Sequence, residues 1–349
     1  QCPSCSIVAK ERAHKLLETV PEAERQPDVA YSGWRELAEA WLAYQKEEAS
    51  SDAAVGNLPV QTAPFVGRDK DLSALQTSLI DEMARLVTIL GPGGIGKTRL
   101  SIAADESVSS QFKNGVLYVP LVPLESADNL LTAVAEAVNF HLTPTDDSVQ
   151  QLIDYLQKKQ LLLVFDNFEH LLPHTALVDT ILKGVPEAQI LVTSRKRLNI
   201  HGEVVYPLGG LAFPKTVPAN PQEIVQYGAA ELFMLHVQTS QSLQRLSEGE
   251  ASALLKICTL VQGMPLALIL AAGWADMLSL AEIAEEISSS LDFLESERHD
   301  LPERQRSMRA VFDHSWRLIT KRESEILCGL SVFQTSFIRE AAQAVTGAS

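Results

Sequence analysis

The run GPGGIGKTRL, residues 91–100, places Gly91, Gly96, Lys97 and Thr98 in the spacing G-x-x-x-x-G-K-[ST]. Each residue type there answers a need of anion binding. Glycines accept the positive φ angles of a tight loop and put no Cβ between the backbone and a ligand. If the loop opens a helix, its N–H groups converge at the positive helix end. The anion that fits is a polyphosphate. The Lys97 ammonium would reach its β- and γ-phosphates, and the Thr98 hydroxyl would ligate an accompanying Mg²⁺. An ordinary glycine turn is the competing reading. The apolar run LVTIL at 86–90 weighs against it, because it supplies a strand feeding the loop. The expected contacts are Gly91, Gly93, Gly94, Ile95, Gly96, Lys97, Thr98 and Arg99.

Three other stretches add chemistry. LLLVFDNFEH, 161–170, is an apolar strand ending in Asp166, a carboxylate suited to the Mg²⁺ held by Thr98. Asn167 follows where a second acid would orient water. An amide can position water but is a poor base, so hydrolysis should be slow. Glu169 could substitute, or it could be a solvated loop acid. ILVTSRKRL, 190–198, is another strand, and Arg195 at its end could report a γ-phosphate through bidentate contacts. Lys196 and Arg197 fit an ordinary basic loop. The candidate catalytic set is Lys97, Asp166, Arg195 and Asn167, with Thr98 and Asp166 as metal ligands. FVGRDKDL (65–72) and GMPLAL (263–268) read, taken alone, as structural. In the second, Gly263 breaks a helical pattern and Pro265 starts the next helix.

Positioning these residues requires a common edge. The strand candidates are LVTIL (86–90), VLYVPL (116–121), LLLVF (161–165), QILVT (189–193) and VVYPL (204–208). Helical spacing fills the intervals, as in NLLTAVAEAV (129–138) and VQQLIDYLQKK (149–159). Continuously apolar strands alternating with helices indicate a parallel sheet covered on both faces. Ligands then bind at the carboxyl ends of the strands. From about residue 222 the pattern is helical throughout, and 306–349 reads as short helices broken at FQTS. Residues 1–50 read as a helical segment in which Trp34, Leu37, Trp41 and Leu42 form an apolar stripe suited to packing on another domain. Residues 51–64, rich in small residues and proline, read as a linker.

Length and composition bound the rest. A chain of 349 residues has room for two or three domains. With 44 acidic against 29 basic residues, the net charge is −15 and no basic block offers a nucleic-acid surface. No eighteen-residue apolar run or signal peptide stands out, so the expected location is cytoplasmic, without a membrane partner. Four cysteines do not make a disulfide framework. Cys2 and Cys5 form a C-x-x-C, but a zinc site needs two further ligands and a redox pair a βαβ context. Cys258 and Cys328 fall in apolar helical patterns and are expected in the core. Gln1 in place of an initiating Met leads us to expect a piece of a longer protein.

In order, FVGRDKD, GPGGIGKT, LLLVFDN, LVTSR and GMPLA resemble the STAND class of signal-transduction ATPases, relatives of the NB-ARC and apoptotic ATPases. The bacterial branch found in LuxR-type and antibiotic-regulator-type transcriptional regulators is the nearest. The resemblance covers about 65–349 and implies an α/β fold: a P-loop sheet domain (65–212), a helical lid domain (213–300) and the start of a winged helix (301–349). It implies that Phe65 and Val66 line an adenine, Arg68 holds the nucleotide edge, Arg195 is a sensor, and Pro265 with Leu266 packs on the base. Asp71 stands where the family usually has Glu. The implied cofactors are ATP/ADP and Mg²⁺. The implied function is a switch that self-associates with ATP bound, answers a carboxyl-terminal sensor absent from this chain, and regulates transcription. A constitutive remodelling ATPase and a phage-defence sensor are the alternatives.

Overall fold

The computed structural model describes residues 57–347, apart from 62, 82–83, 123–125, 144–146, 238–245, 296–305, 318 and 334–336. The expected helix and linker over residues 1–56 lie outside the described residues, as do Cys2 and Cys5.

Five parallel strands form one sheet in the order β2-β3-β4-β1-β5. They are β1 (Leu86–Leu90), β2 (Val116–Pro120), β3 (Leu161–Asp166), β4 (Ala188–Ser194) and β5 (Glu203–Pro207). All five arise from the expected apolar runs. Successive side chains of a strand alternate between faces. Thus Leu161, Leu163 and Phe165 enter one buried cluster, and Leu162 and Val164 enter another. Helices α3 (Ala127–Ala137), α4 (Ser148–Leu156) and α5 (Thr175–Gly184) cover the first face. Helices α1 (Asp69–Ile80) and α2 (Lys97–Val108) cover the second. With both faces covered, β3 is buried at all six positions, which is why it reads as an unbroken apolar run.

Strand order fixes the site. β1, which feeds the 91–96 loop, pairs with β4 and β5. β3, which ends in Asp166, pairs with β4 on the far side. The residues that leave β4 therefore stand between the loop and Asp166.

A second core is wholly helical. It comprises α6 (Gly228–His236), α7 (Glu248–Leu260), α8 (Pro265–Ala272) and α9 (Leu280–Ser289). α7 and α9 begin with reciprocal Ser–Glu caps, Ser247 with Glu250 and Ser279 with Glu282. Each satisfies two otherwise orphaned backbone donors. Pro265 opens α8 as its first residue, where a missing N–H costs nothing. Three further helices follow: α10 (Met308–Arg317), α11 (Lys321–Leu330) and α12 (Arg339–Thr346). α10 joins the second core through Val311, whereas α11 and α12 bury no residue. Cys258 is buried as expected, but Cys328, on α11, is exposed. α12 packs against α11 at Gly329, and Cys328 lies outside that contact.

The segment that follows β5 joins the helical core backbone to backbone. Leu211 N–H donates to Gly263 O at 2.8 Å, and Ala229 N–H to Ala212 O at 3.0 Å. Gly263 has a φ of +64°, and a Cβ there would lie 2.2 Å from Leu211 O. Strain and clash coincide, so Gly263→Ala should destabilise the chain by roughly 2 kcal/mol or more. Thermal denaturation of the two proteins checks this.

Candidate nucleotide site

Residues 91–96 turn directly into α2, whose cap residue is Gly96 at φ 96°. Gly94 also has a positive φ, +77°. The loop is pinned at its start by Gly91 N–H to Ser194 O, 3.2 Å. Among the described residues, the N–H groups of Gly93, Gly94, Ile95 and Gly96 find no backbone acceptor. That is the condition of a loop prepared for an anion. Lys97 Nζ instead donates back to Gly91 O (2.8 Å) and Pro92 O (3.0 Å), carbonyls occupying the place of phosphate oxygens in its hydrogen bonding. Burial pushes the Lys97 ammonium down to about 8, with Glu169 opposing, Arg195 adding to the fall, and Asp166 opposing.

Asp166 is 5% exposed and accepts from three hydroxyls. Thr98 and Thr193 donate to Oδ1 at 2.7 Å each, and Tyr118 donates to Oδ2 at 2.9 Å. The Thr98 hydroxyl and the Asp166 carboxylate are hard oxygen donors in contact, and they fit a Mg²⁺ that neutralises phosphate charge. Asn167 adopts a left-handed conformation, φ 71°, and its N–H donates to Thr193 Oγ1 at 2.8 Å. Arg195 lies on the loop: a Cβ on Gly93 would be 2.9 Å from its Nη2. Its Nε pairs with Glu169 Oε1 at 2.9 Å. Glu169 is thus no solvated loop acid, since its side chain is 1% exposed.

The second core reaches the loop too. Leu266 N–H donates to Gly94 O at 3.2 Å, and a Cβ on Gly94 would press on the Leu266 side chain at 3.0 Å. Pro265 Cγ would lie 3.9 Å from a Cβ on Gly96. From α10, Val311 Cγ1 would lie 2.8 Å from a Cβ on Gly93.

The remaining expected contacts serve the frame in this conformation. The Arg68 guanidinium donates to Asp71 (2.9 Å), Ile95 O (3.0 Å) and Gly209 O (2.8 Å). It braces the phosphate loop from behind. Asp71 also accepts from Tyr206 Oη at 2.7 Å, so the shorter acid finds partners at this position. Arg99 donates to Ala63 O and Pro64 O and turns away from the loop. Phe65 packs on the sheet core and Val66 on the helical core, so the two straddle the junction. Sequence reasoning missed Tyr118 and Val311. The signal for Tyr118 was a lone hydroxyl in an otherwise apolar run. Val311 gave none.

Residues 68–205 match the NB-ARC domain family. The matched segment carries β1 to β4 and the loop at 91–96. A Mycobacterium tuberculosis protein that bears the name of an HTH-type transcriptional regulator is 30% identical over 266 residues, 76% of this chain and 29% of that protein. A second protein of the same organism is 27% identical over 282 residues, 80% of this chain and 68% of its own length. The chain spans under a third of the regulator's length. The crystal structure of a Signal Transduction ATPase with Numerous Domains from Pyrococcus horikoshii, with a tetratricopeptide repeat sensor, aligns at a TM-score of 0.42. That alignment has 17% identity over 82% of this chain and 37% of that one. A parallel sheet with a glycine loop running from β1 into α2 and an acid closing β3 is a P-loop NTPase fold. No helix among the described residues is long and apolar enough to cross a membrane.

Two titrations follow from the site. Phosphates favour the charged Lys97, so nucleotide binding should take up roughly half a proton near pH 8. Affinity should then fall as pH rises through that value. Calorimetry in buffers of different ionisation enthalpy checks this, and Lys97→Met should abolish the uptake. Asp105, on α2, is fully buried, and neither carboxylate oxygen has a hydrogen-bond partner among the described residues. Burial, then the charges of Asp166 and Glu106, hold it well above the usual carboxylate range. The folded state keeps this proton while the unfolded state releases it, so stability falls as pH rises above the ordinary Asp value. Asp105→Asn removes that loss, and its Tm advantage should grow as pH rises above the ordinary Asp value.

Proposed function

We propose that this chain is a nucleotide-operated regulatory switch that binds ADP and ATP with Mg²⁺ and hydrolyses ATP slowly. The observation that carries the reading is the seating of α8 on the phosphate loop, through Leu266 N–H on Gly94 O, beside Pro265 and Val311. A ligand on that loop touches the sheet, the helical core and α10 together. Its binding therefore depends on how those parts are arranged, and a nucleotide shifts the arrangement by its differential affinity for the two states.

In this reading residues 65–212 are the nucleotide-binding domain, 213–300 the lid and 301–349 the start of a winged helix. Among the described residues, the elements after residue 301 are three helices, preceded by an antiparallel bridge between Glu295 and Ser307. Lys97 leaves Gly91 O and Pro92 O for the phosphates, and the N–H groups of Gly93 to Gly96 take their oxygens. Thr98 and Asp166 hold Mg²⁺, which when bound neutralises charge on the phosphates. Pro265 and Leu266 lie against the base, with Phe65 and Val66 on its other side. ADP keeps the parts closed. ATP favours an open form that self-associates in answer to a signal sensed elsewhere in a longer protein. Slow hydrolysis is supported by Asn167 after Asp166 and by the pairing of Glu169 with Arg195. A role in transcription is supported by the name of the mycobacterial relative.

Denaturing the purified protein and identifying the released nucleotide by ion exchange tests the reading. Near-stoichiometric ADP is the expected result, with Lys97→Ala losing most of it and light scattering showing a larger species with an ATP analogue than with ADP. An empty site that turns ATP over freely would instead favour a constitutive ATPase.

A further inference from the structure

Glu169 is a buried charged side chain of the site to which the switch gives no contact with the nucleotide. It forms an ion pair with Arg195 at 2.9 Å, and neither of its oxygens makes a hydrogen bond among the described residues. Two roles could keep a carboxylate there. It could activate water for hydrolysis, in place of the acid that Asn167 is not. Or it could hold Arg195. Burial decides between them. A base must meet its water, whereas both Glu169 oxygens are shut off from solvent. Moving Arg195 off to a phosphate would strand a buried carboxylate without compensation, the costly way to break such a pair.

The orientation of Arg195 agrees. A guanidinium is a rigid plane of donors, so fixing one edge fixes where the other points. The Nε edge is held by Glu169, and the Nη2 end lies over Gly93 of the phosphate loop. We propose that Glu169 is the positioning residue of the site. It holds Arg195 by Nε so that the Nη end addresses the terminal phosphate of a nucleoside triphosphate on residues 91–98. ATP is then told from ADP through a carboxylate that contacts neither. The inference rests on the nucleotide reading of the loop.

The test compares the Kd of ADP with that of a non-hydrolysable ATP analogue in the whole 349-residue chain. Arg195→Met should weaken the analogue about tenfold, with ADP held within about threefold. Glu169→Leu should reproduce that selective loss. Arg195→Met/Glu169→Leu should lose no more than Arg195→Met alone. It also serves if Glu169→Leu does not fold, because it removes both buried charges together. Glu169→Gln keeps the length and shape of the side chain beside Nε but not its charge, so it should recover part of the analogue affinity and keep slow turnover. Normal analogue binding with turnover abolished in Glu169→Gln would make Glu169 the base and overturn the proposal. Unchanged analogue affinity in Glu169→Leu, or a double variant much weaker than Arg195→Met, would overturn it too. No effect of Arg195→Met would sink the sensor reading along with it, and failure of the parent chain to bind either nucleotide would sink the nucleotide reading itself.

Discussion

The carboxylate of Asp166 ties the site together. It is nearly buried, at the end of β3, and is satisfied by hydroxyls from α2, β2 and β4. A buried anion is stable only when its acceptor sites are used, and here three neutral donors use them. The same bonds set the position of Thr98, and with it the first turn of α2, relative to the strand edge. Thr193 extends the chain by accepting from Asn167 N–H, which holds that residue in a left-handed conformation. The acid end of β3 and the start of the phosphate-loop helix are thereby one rigid object, kept in place by side chains from three strands and a helix.

Around that object the charges alternate. Lys97 and Arg195 face Asp166 and Glu169, and the charges of both acids and of Arg195 act on the Lys97 ammonium. Two cations with two carboxylates leave the site near neutrality. A polyphosphate with its divalent cation can then enter without stranding a buried charge, provided Lys97 exchanges carbonyl partners for phosphates. The loop offers further donors from its backbone, and neighbours approach its glycines too closely for a Cβ at Gly93.

Those neighbours are where the helical core meets the loop. Leu266, Pro265 and Val311 come from parts of the chain more than 160 residues beyond the loop, and they meet it at Gly94, Gly96 and Gly93 in turn. Packed interfaces respond to a ligand by changing arrangement more readily than by deforming. Arg68 donates to Ile95 O and Gly209 O and so ties the loop to the segment that follows β5.

Sequence alone determined whatever depends on local pattern. The five strands, the parallel sheet, the glycine loop and the acid closing β3 were legible because apolar runs, glycine spacing and a strand-end carboxylate are written in adjacent residues. Tertiary structure decided which distant residues meet. No spacing rule brings Tyr118 to Asp166, pairs Glu169 with Arg195, or sets Val311 against Gly93, because those contacts depend on strand order and on how the helical core seats on the sheet. Arg68 and Cys328 make the same point from opposite sides. One reads as a ligand contact and is engaged in bracing backbone, the other reads as core and is exposed. A side chain's type limits what it can do, and its neighbours, assembled from across the chain, select what it does.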